Sequence, residues 1–185
     1  VLCVDCQATA IKNATLVNYV GQRFLEETTQ DYFLDRHFIP HSVRQETKAK
    51  YKYGSVIAIP NGISPSVYPE EQPENPEVDK PGLAKKYGPD DNVIEAKKLN
   101  LVKFQKKTGL LVDPEAILLY WPSRLDRTQK GVELLEDIAL KFVIEHSDVQ
   151  IAIVGNPVGD NRVDADILGS IACASNGKIM YQPYN

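Results

Sequence analysis

A chain of 185 residues that is 43% apolar and 25% charged has the make-up of a globular protein, long enough to bury a core without a disulfide staple or a structural metal. Its 21 Lys and Arg against 25 Asp and Glu, a formal charge of −4, exclude a broad nucleic-acid or anionic-membrane surface, so phosphate recognition has to be local. No apolar run approaches the roughly 20 residues that span a bilayer, and the N-terminus lacks the layout of a secretory signal, which together predict a soluble, cytoplasmic protein.

The first residues carry Cys3 and Cys6 at C-x-x-C spacing. A zinc site needs two further ligands, and with Cys173 the cysteines are odd in number, as suits reduced thiols. Thr15–Tyr19 favours extended structure and Gly21–Thr28 the start of a helix. His37 and His41 lie four apart, but Pro40 between them prevents one helix from presenting both as ligands. Tyr53–Pro60, with Val56, Ile57, Ala58 and Ile59, reads as a buried strand closed by Pro60-Asn61-Gly62. Strand, helix and strand form the tail of an α/β domain.

Five prolines, Pro65, Pro69, Pro73, Pro76 and Pro81, rule out a continuous helix or strand over 65–82 and predict a surface linker. Asp90 and Asp91 are expected to cap a helix from about Asn92 to Lys107, with Val93, Leu99 and Val102 on its apolar side and Thr108-Gly109 as its stop. Ile117 to Trp121 reads as a buried parallel-type strand bounded by Pro122. Gly131–Glu145 has apolar residues at Val132, Leu134, Leu135, Ile138, Ala139 and Phe142, the spacing of an amphipathic helix. A strand at Val149–Val154, a helix at Ala165–Ala174 weakened by Gly169, and a strand at Lys178–Gln182 follow. The expected fold class is therefore α/β: a Rossmann-like parallel sheet with right-handed crossovers, half of a doubly wound nucleotide-binding domain. The boundaries are 1–66 for the tail of one domain, 67–82 for the linker and 83–185 for the first half of a second domain.

In such sheets ligands sit beyond the carboxyl ends of the strands, where helix N-termini offer unpaired N–H groups. Two loops occupy that position. In Ser123–Gly131, Arg124 and Lys130 bracket a segment leading into a helix, and a guanidinium fork with an ammonium suits a diphosphate. An alternative pairs Arg124 with Asp126 and leaves Lys130 solvated; Arg127 is expected to be solvated in either case. In Val154–Asp160, Gly155 allows close backbone approach to a ligand, and Asn156 or Asp160 could contact a ribose or cap the next helix. Neither loop is a Walker loop or a G-x-G-x-x-G fingerprint, which argues against an ATPase or a dehydrogenase.

The segment SRLDRTQKGVELL, Ser123 to Leu135, resembles the R-L-x-x-Q-K-G motif that opens the C-terminal domain of glycogen and starch synthases. Ile59-Pro60-Asn61-Gly62-Ile63 resembles that family's N-G-I segment before the interdomain linker, with Ser64 where Asp usually follows. Between them, Tyr87-Gly88-Pro89-Asp90-Asp91, Lys97-Lys98 and Phe104 to Leu110 resemble its Y-s-x-d-d…K…L-Q-x-x-x-G-L stretch. The extra residue between Arg124 and Lys130 is similar to the archaeal form of the loop.

The resemblance implies a GT-B glycosyltransferase of the archaeal or bacterial type, with part of its C-terminal nucleotide-sugar domain and the tail of its acceptor-side domain. It implies retaining transfer of glucose from ADP-glucose or UDP-glucose to the non-reducing end of an α-1,4-glucan. Arg124 and Lys130 would hold the distal phosphate, Asn61 would lie near the sugar, and no metal or other cofactor is expected. The family's K-x-G-G-L and E-x7-E segments do not fall within these residues, so the resemblance implies a fragment inactive by itself. The alternatives are a retaining GT-B enzyme with another acceptor, and a non-catalytic nucleotide- or carbohydrate-binding module.

Overall fold

Asp5 begins the first element because its carboxylate accepts the Ala8 N–H at 3.0 Å, closing the N-terminus of helix α1 (Cys6–Asn13). The computed structural model describes residues 4–30, 39–127, 129–159 and 162–184, and the chain divides into two units, 1–64 and 65–185. Both contain helices and parallel strands, so the mixed α/β class expected from the sequence holds.

In the first unit, β1 (Val17–Tyr19) pairs in parallel with β2 (Val56–Ala58), Val17 opposite Val56. Between them run α2 (Gln22–Thr29), which starts after Gly21, and α3 (His41–Lys52), which starts immediately after Pro40. Ala8, Ile11 and Val43 form the core with Val17 and Ile39. Helices α1 and α3 escape the sequence pattern because their apolar residues are few: α3 buries Arg44 and Thr47 beside Val43, and Thr47 shares a 2.8 Å hydrogen bond with the Tyr19 hydroxyl. The strand expected to be buried at Val56–Ile59 exposes Ile57 and Ile59, since a two-stranded sheet has only edges.

In the second unit, β3 (Ile117–Pro122), β4 (Val149–Val154) and β5 (Ile179–Gln182) form a parallel sheet in that order. Alternation along the strands separates two cores. Ile151, Ile153 and Ile179 face α5 (Val132–Glu145) and α6 (Val163–Ala174), with Val132, Ala139, Val143 and Leu168. Ala152 and Met180 form the other core with Leu110 and Phe104, the latter from α4 (Val93–Thr108). Only β4, the central strand, is buried along almost its whole length. The expectation of a buried strand at Ile117–Trp121 is corrected: Ile117 and Tyr120 are 53% and 54% exposed because β3 lies at the sheet edge. Leu134 and Ile138 of α5 and Leu99 of α4, expected on apolar faces, are likewise exposed.

Helix α4 is capped by Asn92, whose side chain accepts the Glu95 N–H, while Asp91 turns back to the Gly88 N–H. Gly109, with φ of 78°, ends it in the left-handed conformation. Its buried side includes Lys103 and Gln105. The Lys103 ammonium donates to the carbonyls of Asn75, Lys80 and Gly82 at 2.7, 3.0 and 2.8 Å. The Pro-rich stretch expected as a linker is therefore built into the second unit, closed at its base by the Leu83 N–H to Pro73 carbonyl bond. Gln105 bonds the Asp113 carbonyl and N–H and the Gln150 side chain, tying α4 to β4 through fully buried amides.

Candidate functional site

The carboxyl ends of β3 and β4 open into a cavity of about 590 Å³ lined by Pro122, Ser123, Arg124, Gly155, Asn156, Pro157, Val158 and Tyr184. Backbone pairing continues past the strands: the Leu125 N–H donates to the Asn156 carbonyl at 2.8 Å, and Leu125 bridges to Pro157. Leu125 is buried in the core, so the loop leaves the sheet from a fixed point.

Of the candidate residues, Arg124, Gly155 and Asn156 come together on this cavity. Arg124 is exposed, with its Nη2 3.5 Å from the Gln129 side chain. Lys130 is exposed in the turn before α5, does not line the cavity, and has no ion pair among the described residues. Its N–H donates to the Asp126 carbonyl, while the Asp126 carboxylate accepts the Gln129 N–H. Asn61 is exposed at the end of the first unit, in the segment after β2.

Two expected roles change. Gly155 makes room for protein backbone: a Cβ there would overlap the Ser123 carbonyl oxygen, with the carbonyl carbon at 2.9 Å. Asn156 is engaged with Tyr184, donating to its carbonyl at 3.0 Å and accepting its N–H at 2.8 Å, so its amide is occupied by the chain itself. Tyr184, which the sequence reading passed over, thereby borders the cavity; its position just beyond β5 was the available signal.

Helix α5 starts without a side-chain cap, because its N-cap Gly131 has φ of 66° and no side chain to offer. Its first N–H groups and dipole face the loop and favour an anion. Arg127, expected to be solvated, instead pairs with Asp164, Glu133 and Glu136. These carboxylates and the hydrogen bond to Asp164 above all hold its guanidinium even more firmly protonated than usual. Burial, and then the charge of Asp164, push the Glu136 carboxyl above its ordinary value.

Cys6 and Cys173 are free and exposed, and among the described residues no group of three His, Cys, Asp or Glu is placed to hold a metal. Cys3, His37 and Asp160 lie outside the described residues. No helix among the described residues is long and apolar enough to cross a membrane. Comparison of the sequence with protein-family models and with curated proteins gives no match.

Proposed function

We propose that the chain is part of a retaining GT-B glycosyltransferase of the glycogen and starch synthase type, transferring glucose from ADP-glucose or UDP-glucose to the non-reducing end of an α-1,4-glucan. The supporting observation is the Arg124 guanidinium on an open cavity at the carboxyl end of a parallel sheet, in the loop that leads into the uncapped start of α5. It falls within the segment that resembles the family's R…Q-K-G loop.

On this reading the diphosphate of the sugar nucleotide sits between Arg124, the first N–H groups of α5 and Lys130, whose flexible stem lets its ammonium turn to the phosphate. When the bond from glucose C1 to the diphosphate oxygen breaks, the oxygen keeps the electron pair. Cations held against it stabilise that growing charge more than they stabilise bound substrate. The family resemblance also implies a role toward the sugar for Asn61, which lies in the first unit.

Isothermal titration of the chain with ADP and, separately, with a maltooligosaccharide tests the reading. It requires ADP binding that weakens in Arg124→Ala and Lys130→Ala. A folded chain that binds the glucan and no ADP, or neither, overturns it.

A further inference from the structure

The 123–131 segment contains a third cation whose charge is not available to a ligand. Arg127 Nε donates to Asp164 Oδ1 at 2.7 Å and Nη2 lies 2.6 Å from the same oxygen. Nη1 meets Glu133 at 3.1 Å and Nη2 meets Glu136 at 3.3 Å. The Asp164 side chain is 4% exposed and that of Glu136 9%, against 42% for Arg127, so the bond to Asp164 is the sheltered one. Three carboxylates outnumber the one guanidinium. Glu133 and Asp164 tolerate this in the first turns of α5 and α6, where the helix dipoles favour negative charge.

The geometry gives the segment two anchors. Leu125 fixes its start to the loop after β4, and Arg127 fixes its middle to the starts of α5 and α6. Arg124 extends from one residue before the first anchor and Lys130 from three residues after the second. Among the described residues, Arg124 has only a long contact to Gln129 as a restraint of its own. The backbone from which Arg124 extends is thus tied to Leu125, and the turn from which Lys130 extends is held by Arg127 together with the Asp126 bonds to the Gln129 and Lys130 N–H groups.

We propose that Arg127, through Asp164, is a positioning residue for the anion-binding segment, holding it on α5 and α6 so that Arg124 and Lys130 can address one diphosphate. The proposal rests on the nucleotide reading above. Arg127 acts through geometry, because its charge is spent on the carboxylates. Losing it misplaces the two ligand-facing cations, and misplacement on the ångström scale is costly for preorganised sites.

The test uses the whole chain with ADP as probe, in Arg127→Ala, Asp164→Ala, the double variant, Arg127→Lys and Lys130→Ala, each shown folded by circular dichroism. Arg127→Ala and Asp164→Ala should each weaken ADP binding about tenfold, with the double variant no worse than either single one. Arg127→Lys should recover part of the loss. The salt dependence of affinity should stay as in the unaltered chain for Arg127→Ala and become shallower for Lys130→Ala, since only the lysine contributes charge to the phosphate.

Losses that multiply in the double variant, or unchanged affinity in folded Arg127→Ala, overturn the proposal. Should Arg127→Ala fail to fold, Arg127→Lys and Asp164→Asn carry the same comparison. A chain that binds no ADP at all refutes the nucleotide reading instead. The positioning role is then decided by the amide shifts and hydrogen exchange of residues 124–131, which must change in Arg127→Ala if it is correct.

Discussion

Gly155→Ala and Gly169→Ala add the same methyl group and should move stability in opposite directions. At Gly155 the new Cβ would overlap the Ser123 carbonyl oxygen, and both partners are backbone, so neither can swing aside as a side chain would. Relief requires the β3 end to retreat from β4. That motion strains the Ser123 N–H to Val154 carbonyl bond of 3.0 Å and the Leu125 N–H to Asn156 carbonyl bond of 2.8 Å. Each such bond contributes about 1 kcal/mol net. Partial withdrawal of Leu125, which is 2% exposed, adds a share of the roughly 1.5–3 kcal/mol that burying such a side chain provides.

The expected cost of Gly155→Ala is therefore about 3–4 kcal/mol, and under the proposed function ADP affinity should fall as Arg124 shifts. At Gly169, inside α6, a Cβ meets nothing within 4 Å, and replacing a helical glycine by alanine should stabilise by about 0.5–1 kcal/mol. Urea unfolding followed by circular dichroism measures both. A loss under about 1 kcal/mol for Gly155→Ala would refute the close approach of the two strand ends on which the cavity depends.

Glu136→Gln tests the excess of carboxylates around Arg127. Burial and Asp164 raise the folded-state pKa of Glu136, so the unfolded chain ionises first and unaltered protein loses stability as pH rises from the unfolded value toward the folded one. The melting temperature of Glu136→Gln relative to the unaltered chain should accordingly climb as pH rises above the ordinary carboxyl value of 4.5; a pH-independent difference would count against it. Gln105→Met keeps side-chain volume but orphans the Asp113 carbonyl and N–H and the Gln150 oxygen, and should cost about 2–3 kcal/mol in urea unfolding, whereas a change under 0.5 would deny the buried network its role. In a protein that carries this chain and performs the proposed transfer, Lys130→Ala should lower kcat about a hundredfold with a smaller change in KM for the sugar nucleotide. Near-normal kcat in steady-state assays would make the segment structural.

The sequence by itself determined the elements whose signal is local. β4 is a run of five buried residues, which reads as a parallel strand without further context. Gly109 marks a helix end because the left-handed backbone there favours glycine whatever packs around it. The order strand, helix, strand likewise placed Arg124, Gly155 and Asn156 at the carboxyl ends of neighbouring strands.

Only the tertiary structure decided what those residues touch. Lys103 and Gln105 are polar by composition and buried in fact, because carbonyls and amides distant in sequence surround them. β3 is as apolar a run as β4 yet lies at an edge, and apolar character alone does not distinguish an edge from a centre. Arg127 sits three positions from Arg124 in the same loop, and its opposite fate comes from Asp164, 37 residues away in sequence. Hydrophobic period and turn chemistry are properties of a few consecutive residues. Partner choice among charged side chains follows from where the folded backbone brings distant segments, and that information is carried by the packing of the whole unit.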